Sequence, residues 1–225
     1  MKNKQFSAET INEFGICYIP NQSVSRTDLL WNRLALPIQN YKGKVIAYAG
    51  RRLTTDIEDL RDAYLKKYRN DDMVNSKINK WNNSKWINEP YEKIKNLYNY
   101  HRAAQHIYEK NYCIVVEGYF DVIAFHQKGI KNVVATCGTT LSKHQIMMIN
   151  SLCDFVYVLY DPDIAGKNAA VKAQELCNNY CLNNKIITLP DGNDPDEFII
   201  NKNCNKLESV LVEYISKENN IILLR

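Results

Sequence analysis

The sequence predicts an α/β protein, with a parallel sheet flanked by helices in its carboxyl-terminal half and a smaller α+β region before it. Three observations predict this. From residue 112 onward, apolar runs of strand length alternate four times with helix-like stretches. Three of those runs end in acidic groups, the place where ligand sites form at the carboxyl ends of parallel strands. Before them, residues 31–52 alternate in polarity on either side of a Gly-containing turn, the signature of a β-hairpin.

Taken in order, residues 7–14 read as a short helix, with Ser7 as its cap and Thr10 and Glu13 spaced as a capping-box pair. Gly15 ends it, and residues 16–19 read as a strand stopped by Pro20, followed by a polar loop over 21–27. The hairpin comes next, its arms at Trp31–Asn40 and Val45–Arg52 and its turn at Tyr41–Lys44. Residues 54–84 hold an acidic opening (Asp56, Glu58, Asp59), a helix to about Tyr68 and a stretch rich in Asn, Asp and Lys. This segment is expected to be an insertion and a mobile surface loop. A connecting helix is predicted over about 91–110, its stripe of Ile94, Leu97, Tyr98, His101 and Ile107 belonging to the core.

Strands are then predicted at 112–116, 132–136, 155–160 and 185–189, with helices at 120–128, 142–151, 164–178 and from about 204. Apolar runs of this kind suit strands covered on both faces. The resulting division is 1–110 and 111–225.

The 225 residues are 45% hydrophobic and 24% charged, enough for a sizeable core. No apolar run approaches the roughly 20 residues of a membrane span, and the start lacks the apolar segment of a signal peptide, so the expected location is the cytoplasm. Seven cysteines without a C-x-x-C pair read best as buried reduced thiols. Cys177 and Cys181 share a helix face by spacing, which keeps zinc as a minor alternative. The net charge of +4 divides unevenly. Through Lys110 there are 19 basic against 12 acidic residues, and beyond it 10 against 13. A basic half suits a polyanion and an acidic half a cation.

The acids carry the chemistry. Glu117 follows Cys113-Ile-Val-Val116, Asp161 and Asp163 follow Phe155–Tyr160, and Asp191, Asp194, Asp196 and Glu197 follow Ile186–Leu189. Any one of them is as well explained as a cap on the next helix. Three such groups together repel unless a cation compensates, and hard divalent ions take carboxylate oxygens together with substrate phosphates.

At these residues the sequence resembles the TOPRIM motifs of DnaG-type bacterial primases. Glu117-Gly-Tyr-Phe-Asp121, Gly138-Thr139, Asp161-Pro-Asp163 with Ala165-Gly166, and Leu189-Pro-Asp-Gly-Asn-Asp194-Pro-Asp196 occur in the family's order. TOPRIM motifs are shared with nucleases and topoisomerases, so they speak for fold and metal use more than for reaction. The amino-terminal half resembles the same family more specifically. Its opening, Glu9 to Pro20, has the family spacing, and Asn32-Arg-x-x-x-Pro37-Ile38, then Gly43-Lys-Val-Ile46 and Gly50-Arg51, resemble the primase amino-terminal subdomain. Lys85-Trp-Ile-Asn88-Glu-Pro90 resembles Lys-Tyr-Leu-Asn-Ser-Pro, with Glu89 where serine is usual.

The resemblance implies template-directed RNA synthesis, in which a 3′-hydroxyl attacks the α-phosphate of a nucleoside triphosphate and pyrophosphate leaves. It implies Mg²⁺ or Mn²⁺ held by Glu117, Asp161 and Asp163, with Asp121, Asp194 and Asp196 completing the shell and Glu117 as an alternative proton acceptor. Arg51, Lys85, Lys93 and Asn88 would hold template or triphosphate, Lys93 not being distinguishable from Lys95 by spacing. Implied partners are single-stranded DNA, nucleoside triphosphates, and a replicative helicase or a separate zinc-binding protein that reads the template. The zinc-binding and helicase-binding domains of the family have no counterpart here; a minimal form from a phage or mobile element is one explanation, and a fragment working with a separate template-reading partner is another. Two other readings use the same residues: a TOPRIM nuclease with water as nucleophile, and a non-catalytic nucleic-acid-binding relative.

Overall fold

The computed structural model describes residues 6–21, 28–53, 58–138, 140–189 and 194–201. The chain divides into two compact units, one of residues 8–39 and 44–91, the other of residues 1–7, 40–43 and 92–225.

The first unit is built on an antiparallel meander, β1 (Cys17–Ile19), β2 (Arg33–Gln39), β3 (Val45–Arg52) and β4 (Trp86–Asn88), in that spatial order. The predicted hairpin is β2–β3, with Leu36 opposite Ala49. Pro37 sits inside β2 although proline cannot donate to a ladder. It is tolerated because β1 pairs only with residues 33–35, which leaves β2 an edge at Pro37. Helix α1 (Ala8–Glu13) precedes β1, and Gly15, at φ +63°, ends it against the Pro37 ring.

The segment expected to be a mobile loop is instead two packed helices, α2 (Glu58–Tyr68) and α3 (Asp71–Asn83). The expectation for α2 holds. For α3 it fails, because a polar composition hid a helical stripe of Val74, Ile78 and Trp81 that is buried with Leu60, Tyr64 and Trp31. Asn70 caps α3 by accepting from Met73 N at 2.9 Å. The Trp81 indole donates to Trp31 O at 3.1 Å, and Asp28, buried, takes ion pairs from Lys67 and Lys77 at 3.2 and 3.1 Å. Burial and paired polar groups both oppose mobility here.

The second unit holds a parallel sheet of β5 (Tyr112–Val116), β6 (Val133–Ala135), β7 (Phe155–Val158) and β8 (Asn183–Ile186), in the order β6-β5-β7-β8. Helices α4 (Tyr100–Lys110), α5 (Tyr119–Gln127), α6 (Lys143–Asn150) and α7 (Ile164–Asn179) accompany it. The buried cluster joins Val115, Val134, Val156 and Val158 of the sheet to Ala103, Ile107, Ile146, Ile149, Ala170 and Ala173 of the helices. The connecting helix begins at Tyr100, not at 91, since Tyr98 forms an isolated antiparallel bridge with Ala135 and Asn99 takes a left-handed conformation. Of its predicted stripe, Leu97, Tyr98 and Ile107 are buried, whereas Ile94 is exposed.

The last strand is Asn183–Ile186, against 185–189 expected, and helix α8 (Pro195–Asn201) carries part of the acidic tract that follows it. The helix predicted from about 204 lies outside the described residues, as do Thr139 and residues 190–193. Helix α7 stops before Cys181, which has φ +54°, so Cys177 and Cys181 do not share its face. Six described cysteines are free; four of them are buried, as expected, and Cys17 and Cys181 are exposed. Among the described residues no helix is long and apolar enough to cross a membrane.

Candidate active site

In the parallel sheet the chain leaves β5 for β6 on one side and returns to β7 on the other. The β5/β7 boundary is therefore the point where the strand order reverses, and such points open a crevice at the carboxyl ends of the strands. Glu117 directly follows β5, and Asp161 lies three residues beyond β7. Val115 is in register with Val158, so the two acids leave neighbouring strands at the same end. They meet there: the Asp161 amide donates to Glu117 Oε1 at 3.1 Å.

Two glycines make the approach possible. A Cβ on Gly166, in the first turn of α7, would stand 2.3 Å from Asp161 O and 2.8 Å from Glu117 Oε1. A Cβ on Gly118 would stand 2.8 Å from Asp121 Oδ2. Glycine inside a helix costs about 1 kcal/mol relative to alanine, so its presence at 166 reflects this close contact.

Burial, and then the Asp161 charge, push the Glu117 carboxyl up to about 7, with Asp121 and Asp163 adding to the rise. The Asp161 amide hydrogen bond opposes it. Asp121 and Asp163 are turned to helix starts. Asp121 accepts from Gly118 N at 2.8 Å, and Asp163 caps α7 by accepting from Gly166 N at 2.6 Å. Both capping roles and the acidic cluster thus coexist. Asp196 is buried in α8, which packs on α5, while Asp194 is exposed ahead of α8. Neither is among the charges that move Glu117.

Among the described residues no three His, Cys, Asp or Glu side chains stand together as a ready-made metal cage. The donors nevertheless suit a hard divalent ion. A carboxylate raised by a neighbouring carboxylate is the electrostatic state a cation relieves, and Mg²⁺ is often held by one or two carboxylates with phosphate and water filling the rest. Glu117 and Asp161 are the pair that could fill that role.

Lys93 belongs to the same unit. Its Nζ donates to Cys137 O at 3.3 Å, in the turn where Cys137 N donates to Glu117 O at 2.9 Å. The Cys137 thiol feels both the Lys93 ammonium and the Asp121 carboxylate. Buried Gln145 holds the Lys93 segment by donating to Lys93 O and Asn96 O at 3.0 and 2.8 Å. Lys95 pairs with Glu92 at 2.8 Å on the surface. Of the two lysines that spacing could not separate, Lys93 is the one beside the acids.

Arg51, Lys85 and Asn88 lie in the other unit, on the β3–β4 pair. Arg51 is opposite Trp86, with its guanidinium 5.2 Å from the Trp86 ring centroid. Burial and the adjacent Arg52 lower its pKa. Lys85 is exposed, and half-buried Asn88 is opposite Ala49. Glu89 extends the pairing, since its carboxylate accepts from Tyr48 N at 2.9 Å. The sequence named Trp86 and Gly166 only as members of motifs, with no role for either; the signals that could have given one were a tryptophan two residues from Asn88 and a glycine inside a helix start.

The family model described as "DNA primase catalytic core, N-terminal domain" matches residues 1–104, and the one described as "Toprim-like" matches residues 114–199. The DNA primase of Aquifex aeolicus is 34% identical over 184 residues, which are 80% of this chain and 32% of that protein. The DNA primase of Clostridium acetobutylicum is 34% identical over 213 residues, 95% of this chain and 31% of that one. The chain thus spans about a third of the length of these curated relatives. Among solved structures, the zinc-binding and RNA polymerase domains of the Aquifex aeolicus primase superpose with a TM-score of 0.75 at 26% identity, over 96% of this chain and 57% of that one. A DnaG primase catalytic domain bound to ssDNA gives 0.72 at 25% identity, over 95% and 68%.

Proposed function

The chain belongs to the DnaG-type primases as a catalytic core of that family, and from that premise we propose that it synthesises RNA primers on single-stranded DNA by divalent-metal-dependent nucleotidyl transfer. The observation that carries this reading is the meeting of Glu117 and Asp161 at the strand-order reversal. What favours a primase over a nuclease is that the same chain carries the primase amino-terminal domain over residues 1–104.

In this reading Glu117 and Asp161 supply the oxygen ligands, with Asp163 and Asp121 close enough to add theirs when they leave their capping roles. When bound, Mg²⁺ or Mn²⁺ neutralises the triphosphate and the developing charge on the attacking and leaving oxygens. Lys93 directs its ammonium to phosphate at the same edge of the sheet. Arg51, with its guanidinium plane set by Trp86, and exposed Lys85 hold template phosphates by charge, while Asn88 contributes an amide. Asp194 and Asp196 act from α8 and its approach. The nucleoside triphosphates, a helicase or a zinc-binding template reader are the partners this activity calls for, in the cytoplasm of a bacterial or phage-infected cell.

The test is primer synthesis from single-stranded DNA with labelled nucleoside triphosphates and Mg²⁺ or Mn²⁺. RNA products of defined length are expected, with a loss of at least about a hundredfold in Asp161→Asn. Absence of product even with a helicase and a zinc-module protein supplied, or undiminished activity in Asp161→Asn, overturns the proposal. Cleavage of labelled DNA without nucleotides would point instead to the nuclease.

A further inference from the structure

Arg33 is fully buried, at 0% exposure, and its hydrogen bonds all go to backbone carbonyls. Nη2 donates to Trp81 O at 3.0 Å, and Nη1 to Ser84 O at 3.0 Å, Gly50 O at 3.3 Å and Lys85 O at 3.5 Å. These acceptors sit at three places: the last turn of α3, the link from α3 into β4, and β3 just before Arg51. A buried charge without a carboxylate is costly, and apolar replacements are often more stable. What a guanidinium offers in return is a rigid fork that reaches several acceptors at once, which an ammonium cannot reproduce.

The surroundings fit that use. Gly50 has no room for a Cβ, which would stand 2.9 Å from Arg33 Cδ and 2.6 Å from Leu30 Cδ2. Trp81 has the guanidiniums of Arg33 and Arg52 at 5.2 and 5.6 Å from its ring centroid. Arg52 N donates to Lys85 O at 3.1 Å, so the carbonyl that Arg33 reaches is also a rung of the β3–β4 ladder. That ladder sets Arg51 opposite Trp86.

We propose that Arg33 is a positioning residue for nucleic-acid binding, fixing the 84–85 link and the end of β3 so that Lys85 and Arg51 present their charges in register. This rests on the reading of those two residues as template contacts. Arg33 touches no substrate; it acts through the backbone that carries them.

The test is a double-mutant cycle between Arg33→Lys and Lys85→Ala, read as the template KM in primer synthesis and as ssDNA affinity in the full chain. Arg33→Lys is expected to raise template KM about tenfold with kcat at saturating template within about twofold. Adding Arg33→Lys to Lys85→Ala should cost less than it does in the wild-type background, and adding it to a Lys85→Ala, Arg51→Ala variant should cost no more than about twofold, because a positioning residue then has nothing left to place. Arg33→Gln, which keeps amide donors without the charge, is run alongside, and far-UV circular dichroism selects the folded variants. Additive losses, or an unchanged KM in Arg33→Lys when Lys85→Ala is impaired, overturn the inference alone. An unimpaired Lys85→Ala removes the underlying contact and this inference with it. Loss of fold in both Arg33 variants assigns the residue to stability and overturns the positioning role.

Discussion

In the proposed function Glu117 sets stability against catalysis. Its carboxyl is held up to about 7 by burial and by Asp161, against an ordinary value of 4.5. A folded-state value above the unfolded one means that the folded chain binds the proton more tightly. The ionised group therefore costs stability as pH rises from 4.5 to 7, and the cost is complete above 7. Because the carboxyl is partly exposed, screening reduces this to the order of 1 kcal/mol. Glu117→Gln in chelator at pH 8 should raise Tm by about 2–4 °C, while the gain disappears near pH 4.5 and primer synthesis is lost at every pH. Calorimetry beside a primer assay checks this, and an unchanged or lower Tm at pH 8 would show that the acids do not strain the fold. At this scale the sequence was informative about where the acids lie and silent about which of them meet. Asp121 and Asp163 read equally as ligands and as helix caps, and the structure has them capping within reach of Glu117.

Elements explain why those residues hold their places. Helix α7 starts so close to the stretch that leaves β7 that Gly166→Ala forces its new methyl to within 2.3 Å of Asp161 O. Moving backbone in a packed site costs about 1–3 kcal/mol, and the displaced groups are the acids themselves. Gly166→Ala should therefore lose primer synthesis far more than its fall in Tm suggests, whereas Gly129→Ala, with nothing within 4 Å of the added Cβ but a φ of +86° that strains alanine, should lower Tm and leave primer synthesis intact. Comparable activity in Gly166→Ala and wild type would contradict the close approach. Helix α3 makes a separate case. Trp81 is 1% exposed and anchors the helix that the composition concealed. Trp81→Ala should destabilise by about 3–5 kcal/mol, measurable by urea titration, and a loss under 1 kcal/mol would mean that α3 is the loose segment the sequence suggested. The sequence misled here because Asn-rich, low-hydropathy stretches usually mark loops. Three apolar residues at helical spacing suffice once Trp31 and the α2 residues Leu60 and Tyr64 of the same unit are there to bury them.

Across the whole molecule the charges separate, with a basic excess of seven through Lys110 and an acidic excess of three after it. Each phosphate neutralised by a lysine or arginine adds about −0.7 to the salt slope of single-strand binding. ssDNA affinity should fall steeply between 50 and 200 mM salt on the order predicted by that slope, and Lys85→Ala should flatten the slope by about 0.7. Fluorescence anisotropy over a salt series measures both, and a slope indifferent to Lys85 would take that residue out of the contact.

The sequence by itself determined the local properties: strands where apolar runs occur, acids at their ends, a hairpin around Gly43, and family motifs in both halves. Only the tertiary structure decided that β5 and β7 are neighbours, that Glu117 thereby receives the Asp161 amide, and that Arg33 is sealed among carbonyls contributed by three separate stretches. The physical reason is range. Apolar patterning and capping act over a few consecutive residues, whereas strand order and a buried guanidinium's partners come from hydrogen bonds between groups 17 to 52 positions apart, whose pairing no short window of residues contains.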